Sequence, residues 1–314
     1  MLKYVLRRVL LLIPVMLSVS FIVFSIINLM PADAARVIAG DGATQEEILA
    51  IREAMGLHYP FLVRYFWWLR DFVFYQDLGY SLMMGWPVMS IVLSTLPVTV
   101  EIALIATTIS LLVGIPVGII SAVKRNSIFD FIGMFFAIFG VSMPTFWQAQ
   151  LSYFIILHLI RVDILSLDLF AAANNRTFLL IVAVILGLST SASIARMTRS
   201  SMLEVIHQDY IKMARAFGRT EARIILKHAF KNALLPIITV VGLNFTVLLA
   251  GSIYSEMIFR LNGIGVLLLR SIGNRDYTLL MGAILVLCLL FCLINLLIDL
   301  LYAIIDPRIR RQYK

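Results

Sequence analysis

Residues 9–30 read VLLLIPVMLSVSFIVFSIINLM, 22 residues without a charge. A membrane-spanning helix needs about 20 predominantly apolar residues. Lys3, Arg7 and Arg8 precede the run, and Ala32-Asp33-Ala34 behind it resembles a small-residue cleavage site. The run outlasts the roughly 7–15 apolar residues of a secretory signal, so it is read as an uncleaved membrane anchor. Outward from it, five more apolar runs of spanning length fall near 97–123, 129–160, 177–195, 234–258 and 277–305. Backbone polar groups in lipid must be satisfied within the segment, so each run is predicted to be helical. The expected class is an all-α integral membrane protein with six transmembrane helices.

Composition agrees. Of 314 residues, 61% are hydrophobic and only 14% charged, whereas a soluble domain has about 45–50% apolar and about 25% charged residues. One soluble core of this size cannot hide that excess; lipid can. The net charge of +8 would suggest nucleic acid in a soluble chain. Here the positive charges sit between apolar runs, so they are read as topology signals, and no nucleic-acid partner is expected. With the N-terminus in the cytoplasm, cytoplasmic segments hold 17 of the 26 Lys and Arg residues. The segment 31–96 has four arginines, no lysine and seven acids. Both termini are therefore expected inside, with membrane lipid as a partner.

Two segments outside the runs carry information. In 31–96, a short helix is predicted over Gln45 to Leu57, and Asp77-Leu78-Gly79 reads as a turn. Between them, Tyr65, Trp67, Trp68 and Phe72 suit a membrane interface. That stretch is expected to lie along the outer surface, with packing on the bundle as the alternative. The second segment, 196–231, holds eight Lys or Arg and three acids. Met202, Ile206, Tyr210, Met213 and Phe217 recur at helical spacing and read as one stripe. Asp209 is expected to cap a helix starting at Tyr210, and Gly218 to end it. Thr220 would cap a second helix with Glu221 in its first turn. Such a helix–glycine–helix element suits either an anionic lipid surface or a groove on another protein. Its turn glycine, and its continuity with membrane helices at both ends, favour protein docking.

Catalytic patterns do not occur. The chain has no Gly-x-x-x-x-Gly-Lys-Ser/Thr loop, no His-Glu-x-x-His and no Gly-x-Ser-x-Gly. His58, His158, His207 and His228 are scattered, and Cys288 and Cys292 read as small apolar residues on one helix face. Gly114 and Gly118 read as a close helix contact. No cofactor or metal is expected in this chain. Polar residues inside the runs are costly in lipid and should face protein or water. Glu101, Gln148 and Asn244 are the candidate pathway residues, beside Gln150, Asn295 and Asp299. For Glu101 and Asp299 a structural contact competes with a pathway role; for the amides, helix–helix hydrogen bonds are preferred.

The loop from Lys212-Met213-Ala214-Arg215-Ala216-Phe217-Gly218 to Ala233-Leu234-Leu235-Pro236 resembles the "EAA" loop of binding-protein-dependent ABC importer permeases. Lys212 and Met213 depart from that pattern, and Ala214 and Gly218 match it. The long interval from Gly218 to Pro236 is similar to that of the dipeptide, oligopeptide, glutathione and nickel group. Tyr4-Val5-Leu6-Arg7-Arg8, Asp77-Leu78-Gly79-Tyr80-Ser81, Arg199-Ser200-Ser201-Met202-Leu203-Glu204-Val205, Asn274-Arg275-Asp276-Tyr277 and Asp306-Pro307-Arg308-Ile309-Arg310 resemble it too. Ala32, Ala34, Val182 and Asn262 depart from the group's usual Gly and Pro residues, all outside the loop.

The resemblance implies the type I ABC importer permease fold. It implies a first helix and extracytoplasmic segment over 1–92, a permease core over 93–305 with its coupling loop at 196–232, and a cytoplasmic tail over 306–314. The implied ATPase-coupling residues are Asp209, Tyr210, Lys212, Met213, Ala214, Arg215, Ala216, Phe217 and Gly218. The implied partners are a homologous second permease, two cytoplasmic ATPase subunits that bind ATP and Mg, and an extracytoplasmic solute-binding protein. Di- and oligopeptides lead as solutes, with nickel or its chelates and glutathione as alternatives. A lone secondary transporter would show inverted repeats and more intramembrane charge. A membrane enzyme would need clustered catalytic groups.

Overall fold

The apolar runs are helices. A computed structural model of the chain describes residues 2–29, 34–40, 42–162 and 175–305. The expected tail over 306–314 and the small-residue site at Ala32-Asp33 lie outside these residues. In chain order the helices are α1 (Leu2–Leu29), α2 (Ala34–Ala39), α3 (Gln45–Ala54), α4 (Phe61–Tyr75), α5 (Val88–Val123), α6 (Ile128–Ser142), α7 (Thr145–Arg161) and α8 (Asn175–Ile206). They continue with α9 (Asp209–Ala216), α10 (Glu221–Arg223), a π-helical turn (Ile224–Ala229), α11 (Phe230–Gly251), α12 (Ile253–Ile258), α13 (Ile264–Gly273) and α14 (Tyr277–Ile305). Five helical stretches are long and apolar enough to cross a membrane, and six if the bent pair α6–α7 forms one span.

That bend corrects the expectation of a single span over 129–160. α6 and α7 meet at 102°. Pro144 is the cause. Its ring disfavours helical backbone in the residue before it, and Met143 is extended at φ −84°, ψ 125°. Apolar residues continue on both sides, so hydropathy alone sees no break.

The described residues of 1–97 and 262–293 pack as one unit, and those of 98–261 and 294–305 as another. The first is built on Phe24, Tyr65, Leu78, Val88, Val92, Ile264, Leu267 and Leu279. In it, Thr44 and Glu47 close a capping box at the start of α3, within the helix expected from Gln45. The turn at Asp77–Gly79 brings Ser81 to Asp276, whose buried carboxylate accepts from the Ser81 hydroxyl at 2.5 Å and from the Leu279 amide at 3.1 Å. Asp276 thus caps α14 and ties the turn to it.

In the second unit α5 lies against α8 through glycines. A Cβ on Gly118 would fall 2.5 Å from Thr198 Cβ and 2.6 Å from the Ala195 carbonyl oxygen; one on Gly114 would fall 2.7 Å from the Ser191 oxygen. Only hydrogen fits there, as the Gly-x-x-x-Gly spacing suggests. The start of α6 is clasped to α8 by Arg199, which donates from Nε and Nη2 to Asp130 at 2.7 and 2.9 Å.

Candidate functional site

The segment between α8 and α11 forms a knob. α8 ends at Ile206, and His207 and Gln208 turn the chain before α9. The single stripe from Met202 to Phe217 is therefore two surfaces on two helices. Met202 is fully buried, whereas Tyr210, Met213 and Phe217 are exposed, the last to 78%. Gln208, and not Asp209, takes the N-cap position, with extended backbone. Asp209 becomes the first helical residue, where its charge suits the helix dipole, and it pairs with Lys212 at 2.9 Å. Both partners are solvated, so that pair contributes little to stability.

An isolated helix of eight residues would not persist in water. α9 is held from outside itself. Ile211 is completely buried beside Met202, Ile224, Ala229, Ala233 and Ile237, and Ala214 packs against the same cluster. At the far end Gly218 adopts φ +71°. Its amide donates to the Arg215 carbonyl at 2.9 Å and the Arg219 amide to that of Ala214 at 3.4 Å. This is a Schellman closure, and it needs a left-handed residue at the glycine position. Arg215 then bridges the turn to Glu221, at 2.7 and 3.3 Å. Those hydrogen bonds raise the Arg215 pKa above its ordinary value, with burial opposing them. Asn232 on α11 donates to the Tyr210 hydroxyl at 2.9 Å.

The coupling-loop candidates therefore fall together. Ala214 faces the body of the unit; Tyr210, Met213 and Phe217 face out; Asp209, Lys212 and Arg215 form a charged rim; Ala216 and Gly218 close the helix. The expected second helix does not end before the fifth span. From Glu221 it runs through the π turn into α11 and on to Ile258, a stretch of 38 residues.

The candidate pathway residues do not gather. Gln148 sits at the bend, where its amide donates to the carbonyls of Gly140 and Met143 and to the Ser189 hydroxyl. It borders an apolar cavity of about 570 Å³, lined by residues such as Val113, Ile132, Phe136 and Leu188. Asn244 donates to Ser193 Oγ at 2.7 Å and reaches the Thr190 carbonyl at 3.4 Å, joining α11 to α8. Both amides are helix–helix ties. Glu101 lies 3.9 Å from Arg176, with both side chains partly exposed.

Two family models match the chain. "Binding-protein-dependent transport system inner membrane component" covers residues 114–311, and the corresponding N-terminal family covers 1–103. The chain belongs to this family of inner membrane components. It is 40% identical to the dipeptide transport system permease protein DppB of Alkalihalophilus pseudofirmus, over 99% of this chain and 100% of that one. It is 34% identical to DppB of Escherichia coli K12 over the same shares. A solved chain of the MetNI methionine ABC transporter, in inward-facing conformations, shares the fold at 21% identity and a TM-score of 0.56. It covers 71% of this chain and 100% of its own.

Two residues of this inner membrane component escaped the sequence reading. Ile211, the anchor of the knob, is masked in the sequence by Tyr210, Met213 and Phe217, which already make an apolar stripe. Its signal is the second apolar face, Ile211 with Ala214. Glu256 is fully buried, and its carboxylate accepts from the hydroxyls of Thr99 at 2.7 Å and Ser252 at 2.8 Å. A carboxylate near the end of an apolar run was its signal.

Proposed function

We propose that this chain is a permease subunit of an ATP-driven importer and forms half of a translocation pathway for di- and oligopeptides. The names of the DppB relatives support the solute class. The knob supports the coupling role, and one observation carries it: Met213 and Phe217 stand 61% and 78% exposed on a short helix whose opposite face is buried. An apolar tip on a fixed base fits a cleft in another protein.

In this reading residues 196–232 lie in the cytoplasm and one ATPase subunit grips α9. A second, homologous permease completes the pathway, a second ATPase grips that subunit, and an extracytoplasmic binding protein delivers peptide. ATP and Mg are bound by the ATPases. When the ATPase pair closes on ATP, the docked helix moves. Ile211 and the Arg215–Glu221 pair make α9 move with its base, and the helix running on from Glu221 carries the displacement into the fifth span. The switch is driven only by as much as the partner's affinity differs between the two facings. Glu101, within the α5 span and partly exposed, remains a candidate pathway residue. Gln148 and Asn244 act by holding helices in place.

The test is Gly218→Glu. Its Cβ meets no atom within 4 Å, so the change breaks the left-handed turn without a clash in the core. Membrane insertion should be normal, while the ATPases no longer co-purify and ATP-dependent peptide uptake in proteoliposomes is lost. Wild-type assembly and uptake in that variant would refute the coupling role. Binding of nickel or glutathione, but of no peptide, by the partner binding protein would refute the solute class.

A further inference from the structure

We infer that α4 is not a surface helix but is sunk into the outer half of the membrane, with its free face against lipid acyl chains. The inference goes beyond the transport role and does not depend on it.

Depth is read from α1. Arg7 and Arg8 mark its basic end, and the uncharged run ends near Leu29. Leu17 lies 12 residues from Leu29, about 18 Å along the axis, near the middle of a hydrocarbon core about 30 Å thick. The Tyr65 hydroxyl of α4 donates to the Leu17 carbonyl at 3.3 Å and lies 2.9 Å from Ser20 Oγ. A tyrosine side chain is much shorter than 18 Å. The α4 backbone at Tyr65 therefore lies well inside the level of Leu29.

The neighbouring residue points the other way. Arg64 Nη2 donates to Asn28 Oδ1, one residue from that outer limit, and its guanidinium passes 6.0 Å from the Phe24 ring centroid. A charged head reaching back toward the interface along an apolar surface is the behaviour of a snorkelling arginine. The two side chains bracket the depth of the helix.

Twelve of the 15 residues of α4 are apolar or aromatic, and its charges are Arg64, Arg70 and Asp71, the last two paired at 2.7 Å. Its inner face, Tyr65, Trp68 and Phe72, packs within the first unit. Its outer face carries Leu62, Phe66, Val73 and Phe74, exposed to 54%, 61%, 57% and 76%, with one charge among them, Arg70, neutralised by the adjacent Asp71. The exposed face of α1, with Ile22 and Ile26, is the lipid-facing surface of a spanning helix, and α4 extends that surface.

The experiment uses the assembled importer in phosphatidylglycerol–phosphatidylethanolamine nanodiscs, with Cys288 and Cys292 replaced by alanine. Single cysteines are placed at Phe66 and Val73, at Ile22 as a lipid reference and at Met84 as a water reference. A charged, membrane-impermeant maleimide should react at Phe66→Cys and Val73→Cys about tenfold or more slowly than at Met84→Cys, because it cannot enter hydrocarbon. Spin labels there should be relaxed by oxygen rather than by a nickel chelate, as at Ile22→Cys. Reaction as fast as at Met84→Cys would overturn the inference in favour of a surface helix. Relaxation by neither agent would overturn it in favour of a protein-covered face. Should Phe66→Cys fail to assemble, Leu62→Cys reports on the same face.

Discussion

Ile211 and Phe217 sit six residues apart and should fail in different ways. Ile211 is wholly buried, so Ile211→Ala removes apolar contact and leaves a void, at a cost of about 2–4 kcal/mol. Thermal unfolding in detergent should move to lower temperature, and uptake should fall with the amount of folded protein. Phe217 is 78% exposed, so Phe217→Ala should change stability by less than about 0.5 kcal/mol. It should nevertheless weaken ATPase assembly roughly tenfold or more, as aromatic anchors at interfaces do. Equal effects of the two changes on melting and on co-purification would count against an anchored base with a docking tip. Gly218 was legible in advance because a glycine behind a helical period has one common use. Ile211 was not, because a buried and an exposed apolar face look alike in one dimension.

At the level of helices, the spans could be counted from the sequence but their ends and bends could not. Hydropathy places a run in lipid and then loses its bounds wherever apolar residues continue, as they do from Val88 into α5 and across Pro144. The bend carried its own sign in that proline, overridden by the length of the run around it. Helix contacts were better written: Gly114 and Gly118 already specified a close approach. Gly118→Leu should therefore be far worse than its hydrophobicity suggests, because its Cβ would meet Thr198 and a backbone oxygen that cannot withdraw. Overpacking of this kind costs about 1–3 kcal/mol or more. The check is the yield and melting temperature of purified protein. The contrast is Leu112→Ala, at a position 70% exposed on the same helix, which should leave both nearly unchanged.

For the whole chain, composition set the solvent, a set of short resemblances pointed to the family, and the same resemblances put first the peptides that the relatives' names carry. Of the candidate pathway residues, Gln148 and Asn244 make the helix–helix hydrogen bonds expected of the amides. What remains is consistent with a half-pathway that a second subunit completes. Proteoliposomes holding this chain without ATPases should show no ATP-driven peptide uptake, and uptake should return when all subunits are present. Accumulation driven by an ion gradient with the chain alone would remove it from the ATP-coupled class.

The π turn at Ile224–Ala229 has a consequence for how related chains are lined up. A wider turn accommodates one surplus residue without lengthening the rod, and one residue corresponds to about 100° of helical rotation. A homologue with an ordinary turn there would be one position shorter. Its glycine corner and its fifth helix could then not both be aligned with this chain without a gap, and an alignment forced through would assign the wrong side of that helix to the interior.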